Sequence, residues 1–263
     1  MLNKLLKYDL KWIYKSLIVF YIIAIIFSIF GRITQIFDNS LVFIVISKIC
    51  FGIVISMLFS IVINNIMRCF SRVIRNMYKD ESYLTNTLPV SRGNIYLSKI
   101  LASIITMLSS VIVIALCLFI CFYSKENINI LRDSLNIIST VYDSSIIKLI
   151  LIFIMVIFIE LLFILLSGYT GIIYGYSKND FLLIKSIIYG FIIYAICSIL
   201  MLLSLYIFGL FDKNIMSIFT NNTVSDISII KRVLWFTTSL YLLSIIVLYY
   251  IGNKKLLKGV NIN

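Results

Sequence analysis

The chain has 263 residues, 62% of them hydrophobic and only 13% charged, with ten glycines, one proline and no histidine. Soluble domains run near a quarter charged and under half apolar, so this composition excludes an ordinary soluble fold and indicates an integral membrane protein. The net charge of +12 is carried by basic residues gathered at the ends of apolar runs, a pattern that reports membrane topology and anionic lipid, so nucleic acid is not an expected partner.

The expected fold is all-α, with six membrane-spanning helices. Residues 1–16 come first. Lys4, Lys7, Lys11 and Lys15 recur on one helical stripe, while Leu2, Leu5, Leu6, Leu10 and Ile13 lie away from it with Trp12 at the edge. That pattern predicts an amphipathic interfacial helix lying on the inner leaflet, or, on the plainer reading, the positive flank of the first span. The spans follow at about 17–36, 49–67, 100–124, 149–170, 186–211 and 233–253. Each is close to or above the roughly 20 residues that cross a hydrocarbon core of about 30 Å. A transmembrane β-barrel is excluded, because its strands alternate apolar and polar residues whereas IIAIIFSIF and LILIFIMVIFI are apolar almost throughout. No small-residue cleavage site follows the first run, which is therefore expected to stay as an anchor.

Between the second and third spans lies a polar, basic loop, residues 68–99, which holds the only proline, Pro89. It carries Arg68, Arg72, Arg75, Lys79, Arg92 and Lys99. With Lys4, Lys7, Lys11, Lys15, Lys178, Lys185, Lys254, Lys255 and Lys258, these make 15 of the 23 basic residues fall on one side. Positive-inside bias then predicts both termini in the cytoplasm of a cell-membrane protein. The longer connections on the other side, Lys125 to Ser145 and Asp212 to Arg232, are nearly neutral and too short for a folded ectodomain. No domain boundary is visible, and the chain reads as a single transmembrane domain. Cys50, Cys69, Cys117, Cys121 and Cys197 lie in or at the ends of apolar runs, so no disulfide framework is indicated. The Cys117 and Cys121 pair at i, i+4 has no histidine to complete a common metal site and reads as packing.

Catalysis fails on inventory. Intramembrane serine and metalloproteases need a histidine, and no carboxylate pair sits in the apolar spans. A phosphate-binding loop needs a glycine followed by Lys-Ser or Lys-Thr; none is present, so any ATP-driven work belongs to another subunit. Glu160 is the one acid inside an apolar run. At that depth an ionised carboxylate costs at least about 2.5 kcal/mol, so it is expected to face the bundle interior, either on a substrate path or as a protonated hydrogen-bonding packing residue. Ser167, Gly171 and Gly175 form a ladder of small residues that lets a neighbouring helix come close, beside an interfacial belt of Tyr169, Tyr174 and Tyr176.

Glu81, then Leu88-Pro89-Val90-Ser91-Arg92, then Lys99 at the head of the third span resemble the "E…LPvsR…K" pattern of ABC-2 type permeases, the membrane subunits of a class of ABC exporters. The similarity extends to the plan of six spans, basic N-terminal helix and basic loop. It implies a coupling helix near Ser71 to Leu88 that docks on a separate ATPase subunit, with Arg75, Glu81, Leu88, Pro89 and Arg92 as the coupling residues. It also implies a second permease copy or homologue as partner. ATP and magnesium would be bound by the ATPase, with no cofactor in this chain. A short outer helix near Ile215 to Phe219 would follow the fifth span. Glu160 has no counterpart in the pattern. The apolar spans suit an amphipathic or hydrophobic cargo, such as a peptide, drug or lipid. The competing readings are a secondary transporter, disfavoured because no span is broken by proline, and a non-transporting sensory or structural subunit.

Overall fold

The computed structural model describes residues 2–37, 40–87, 89–124, 129–130, 132–133, 135–136, 139, 145–178, 180–212, 215–216 and 227–257. Seven helices are seen among them: α1 (Leu2–Ile36), α2 (Leu41–Met77), α3 (Ser82–Thr87), α4 (Arg92–Phe122), α5 (Ile146–Gly175), α6 (Leu182–Phe211) and α7 (Ile227–Leu257). All but α3 are long and apolar enough to cross a membrane. Their outer surfaces are apolar too, with Phe59 68% and Phe191 72% exposed, a surface suited to lipid and costly in water.

The chain divides into two compact units, residues 1–129 and 130–263. In the first, α1 packs along both α2 and α4, α2 also meets α4, and α3 rests on α2. In the second, α5 packs along both α6 and α7, which also touch each other.

The expected separate helix at residues 1–16 is corrected. α1 runs without a break from Leu2 to Ile36, because one buried seam passes straight through the junction. Asp9, Ile13, Leu17, Tyr21, Ala24, Ser28, Gly31 and Thr34 all face inward, at the three-and-four spacing of a packed helix stripe. The lysine stripe changes only the outer face. The coupling helix expected near Ser71 to Leu88 is corrected as well. Ser71 to Met77 is the end of α2, a turn follows, and α3 has just six residues; Leu88 lies outside the described residues. α4 begins where Ser91, extended at φ −62 and ψ 142, caps it by accepting a hydrogen bond from the Asn94 N–H.

In the second unit the turn between α5 and α6 ends at Phe181, held in the left-handed region at φ 49. The small residues then meet. Gly171 lies against the backbone of Gly190, and Gly175 against Ser186, so closely that a Cβ on either would overlap the partner. Beyond this crossing Phe163, Leu166 and Leu248 form the core, with Tyr194 and Tyr241 packed on the Phe163 ring at 5.4 and 5.3 Å. Of the outer helix expected at Ile215 to Phe219, only Ile215 and Met216, both helical, are among the described residues.

Candidate functional site

Charged side chains are buried in the first unit where the helices leave their apolar stretches. Asp9, on the inward seam of α1, is 1% exposed and Lys99, on α4, 2%. The Asp9 carboxylate receives three donors: Arg72 Nε at 2.7 Å and Lys99 Nζ at 2.5 Å on Oδ1, and Ser98 Oγ at 2.9 Å on Oδ2. Arg72, near the end of α2, also donates Nη1 to Glu81 Oε2 at 2.6 Å, and Asn76 Nδ2 donates to the same oxygen at 3.1 Å. The Arg72 guanidinium lies over the Trp12 ring, 5.5 Å from its centroid, a favourable cation–π placement. Two carboxylates and two cations thus close an electrically balanced cluster that ties α1, α2, α4 and the loop together. Removing one partner from such a buried group leaves an uncompensated charge, a loss of about 3–5 kcal/mol.

Glu81 stands in the turn, where its N–H donates to the Arg75 carbonyl and its own carbonyl accepts from the Thr85 N–H. Burial pushes its carboxyl upward; the Asn76 hydrogen bond and the charges of Arg72 and Arg75 outweigh that and hold it below the ordinary carboxylate range. α3 then turns its polar side inward. Ser82 and Thr85 are buried, while Tyr83 is 77% and Leu84 74% exposed. Pro89 is exposed beside them.

A second polar set continues the first along the seam. Asn65, fully buried on α2, donates to Ser110 Oγ at 2.8 Å, which is also 2.7 Å from the Tyr21 hydroxyl. Tyr14 donates to Ser109 at 2.9 Å. Hydrogen bonds of this kind between helices in lipid contribute about 0.6 kcal/mol each on average. They fix the register of α1, α2 and α4.

Of the five coupling residues implied by the resemblance, Glu81 alone among those described enters the buried cluster, where Arg72 of the same loop and Lys99, the last residue of the pattern, join it. Arg75 is exposed and sits 3.7 Å from an exposed Asp80, and Arg92 is half-buried in the first turn of α4. Glu160, in the second unit, is half-buried and has no hydrogen bond or ion pair among the described residues; the Tyr241 phenol lies within its electrostatic reach. Ser167 Oγ donates to the Ile164 carbonyl of its own helix at 2.7 Å. Sequence reasoning missed Asp9, the pairing of Arg72 and the outward Tyr83 and Leu84. One signal was present for Asp9: it stands at i+4 from Leu5 and i−4 from Ile13, on the apolar side of a lysine-striped helix. An acid there needs a buried partner.

No protein family, curated protein or solved structure matches the chain.

Proposed function

We propose that the chain is the membrane-spanning subunit of an ATP-driven exporter of the ABC-2 type, lying in the cell membrane with both termini in the cytoplasm. It works with a second permease copy and a separate ATPase subunit that binds ATP and magnesium. The observation that carries this reading is the arrangement of the loop. A six-residue helix shows Tyr83 and Leu84 to solvent while Ser82 and Thr85 are buried, an arrangement that favours a protein partner. Glu81, one residue before that helix, is wired through Arg72 and Asp9 to Lys99. These two residues are also the first and last of the pattern that resembles the permeases. Force applied to α3 by a closing ATPase would pass through half-buried Glu81 to α1, α2 and α4 by way of Arg72, Asp9 and Lys99, which are charged, buried and unable to part cheaply.

The cargo is an amphipathic or hydrophobic molecule, and Glu160 contributes to its path. A carboxylate half-buried among apolar helices without a partner among the described residues is one that a path or a second subunit can satisfy.

Co-purification tests the assignment. The tagged chain, expressed with the ATPase encoded nearest to it, is expected to retain that subunit and to export. Tyr83→Ala with Leu84→Ala is expected to release the ATPase, and Glu81→Ala with Arg92→Ala to uncouple hydrolysis from transport. Normal capture and normal export by both variants would sink the loop assignment. Glu160→Gln is expected to lower export without loss of assembled protein.

A further inference from the structure

Beside the balanced cluster lies a cleft of about 420 Å³ whose charge is not balanced, lined by Trp12, Lys15, Ser16 and Val19 of α1 and by Arg68 and Arg75 of α2. We propose that this cleft binds the phosphate of an anionic phospholipid headgroup. The reading depends on the chain being a membrane protein and not on its being an exporter.

Three observations carry it. The first is charge. Lys15 and Arg68 have no carboxylate partner among the described residues, and Arg75, which acts on Glu81 only at longer range, makes a loose contact with exposed Asp80. The nearby acids, Asp9 and Glu81, are committed to Arg72 and Lys99. Two arginines and a lysine converging on one cleft match a phosphate, which accepts several charge-assisted hydrogen bonds at once. Arg68 is held in place by the Trp12 ring, 5.7 Å from its centroid.

The second is level. Lys15 and Ser16 immediately precede the apolar stretch that begins at Leu17, and Arg68 immediately follows the one that ends at Met67. The cleft therefore straddles the boundary where headgroups lie, and basic pockets between helices at that level are suited to them.

The third is continuity with an apolar track. Val19 closes the cleft on the membrane side and is 54% exposed; Ile22 and Ile26, at i+3 and i+7 from it on the same helix face, are 51% and 56% exposed. A free phosphate has no use for such a track. An acyl chain attached to the phosphate covers it.

Native mass spectrometry of the full-length chain in neutral detergent, titrated with phosphatidylglycerol, phosphatidylcholine or inorganic phosphate, tests the site. Phosphatidylglycerol is expected to be retained in preference to phosphatidylcholine, and inorganic phosphate is not expected to displace it. Each cation near the surface contributes enough that Lys15→Gln should weaken phosphatidylglycerol about fivefold, and Lys15→Gln with Arg68→Gln about thirtyfold. Lys4→Gln with Lys7→Gln, an equal loss of charge on residues outside the cleft, should leave it near wild type. The single variant keeps the test open if loss of the Arg68–Trp12 contact harms folding, since exposed Lys15 has no bonded partner among the described residues. Equal weakening by both double variants, equal retention of phosphatidylcholine, no effect of Lys15→Gln, or displacement by inorganic phosphate would each overturn the proposal.

Discussion

Asp9 is the residue on which the first unit turns, because two buried cations share its carboxylate. Asp9→Asn keeps the shape and removes the charge, leaving Arg72 and Lys99 with Glu81 as their only anion in the cluster. A loss of about 3–5 kcal/mol is expected, read as a large fall in the melting temperature of the detergent-purified protein. Asp80→Asn removes an exposed acid and should change stability by less than about 0.5 kcal/mol. If the two variants melted alike, the cluster would not be holding the helices. Glu81 adds a pH dependence whose sign follows from its lowered pKa. A carboxyl held lower in the folded than in the unfolded chain stabilises the fold above its ordinary value of about 4.3, and that contribution is lost as the pH falls through the folded value. Wild type should therefore lose stability between about pH 5 and the folded-state value, and Glu81→Gln should flatten that part of the acid limb. An unchanged limb would show that the carboxylate is not ionised in the cluster.

At the scale of elements, the α5–α6 hairpin is governed by what its glycines exclude. A Cβ on Gly171 would run into the Gly190 backbone and one on Gly175 into Ser186, whereas one on Gly52 would meet nothing within 4 Å. Gly171→Ala or Gly175→Ala should thus push the helices apart at a cost of about 1–3 kcal/mol. Gly52→Ala, in open space within α2, should raise stability by about 0.5–1 kcal/mol. Melting curves of the three variants decide this, and a neutral Gly171→Ala would mean the crossing is looser than drawn. The ladder of Ser167, Gly171 and Gly175 was legible in the sequence because small residues at every fourth place mark a close approach. The inverted face of α3 was not, since six residues are too few for periodicity to separate inside from outside.

At the scale of the whole molecule, six spans were legible because the length of an apolar run is set by the bilayer and needs no knowledge of its neighbours. The buried cluster was hidden for the opposite reason: its bonds join residues 63 and 90 positions apart, beyond any local pattern. The division at residue 129 was equally silent, as both units are built from the same apolar vocabulary. The proposed topology predicts that cysteines placed near Met77, Lys178 and Lys255 are shielded from an impermeant thiol reagent until the membrane is opened. Cysteines placed in residues 125–145 and 212–232 should react at once. Labelling of position 178 from outside intact cells would break the six-span arrangement.

The length of α2 has a mechanical meaning. Its 37 residues extend about 55 Å, well beyond the roughly 30 Å that a hydrocarbon core requires. From Leu58, midway along its apolar run, to Met77 at its tip is about 28 Å, so tilting the rod by about 4° swings the tip through about 2 Å. Because Asp9, Arg72 and Lys99 rivet three rods together near that tip, none can swing alone. The loop hangs from a shared boom, so that in the proposed exporter a small stroke there would become a fine, concerted adjustment at the level of the membrane.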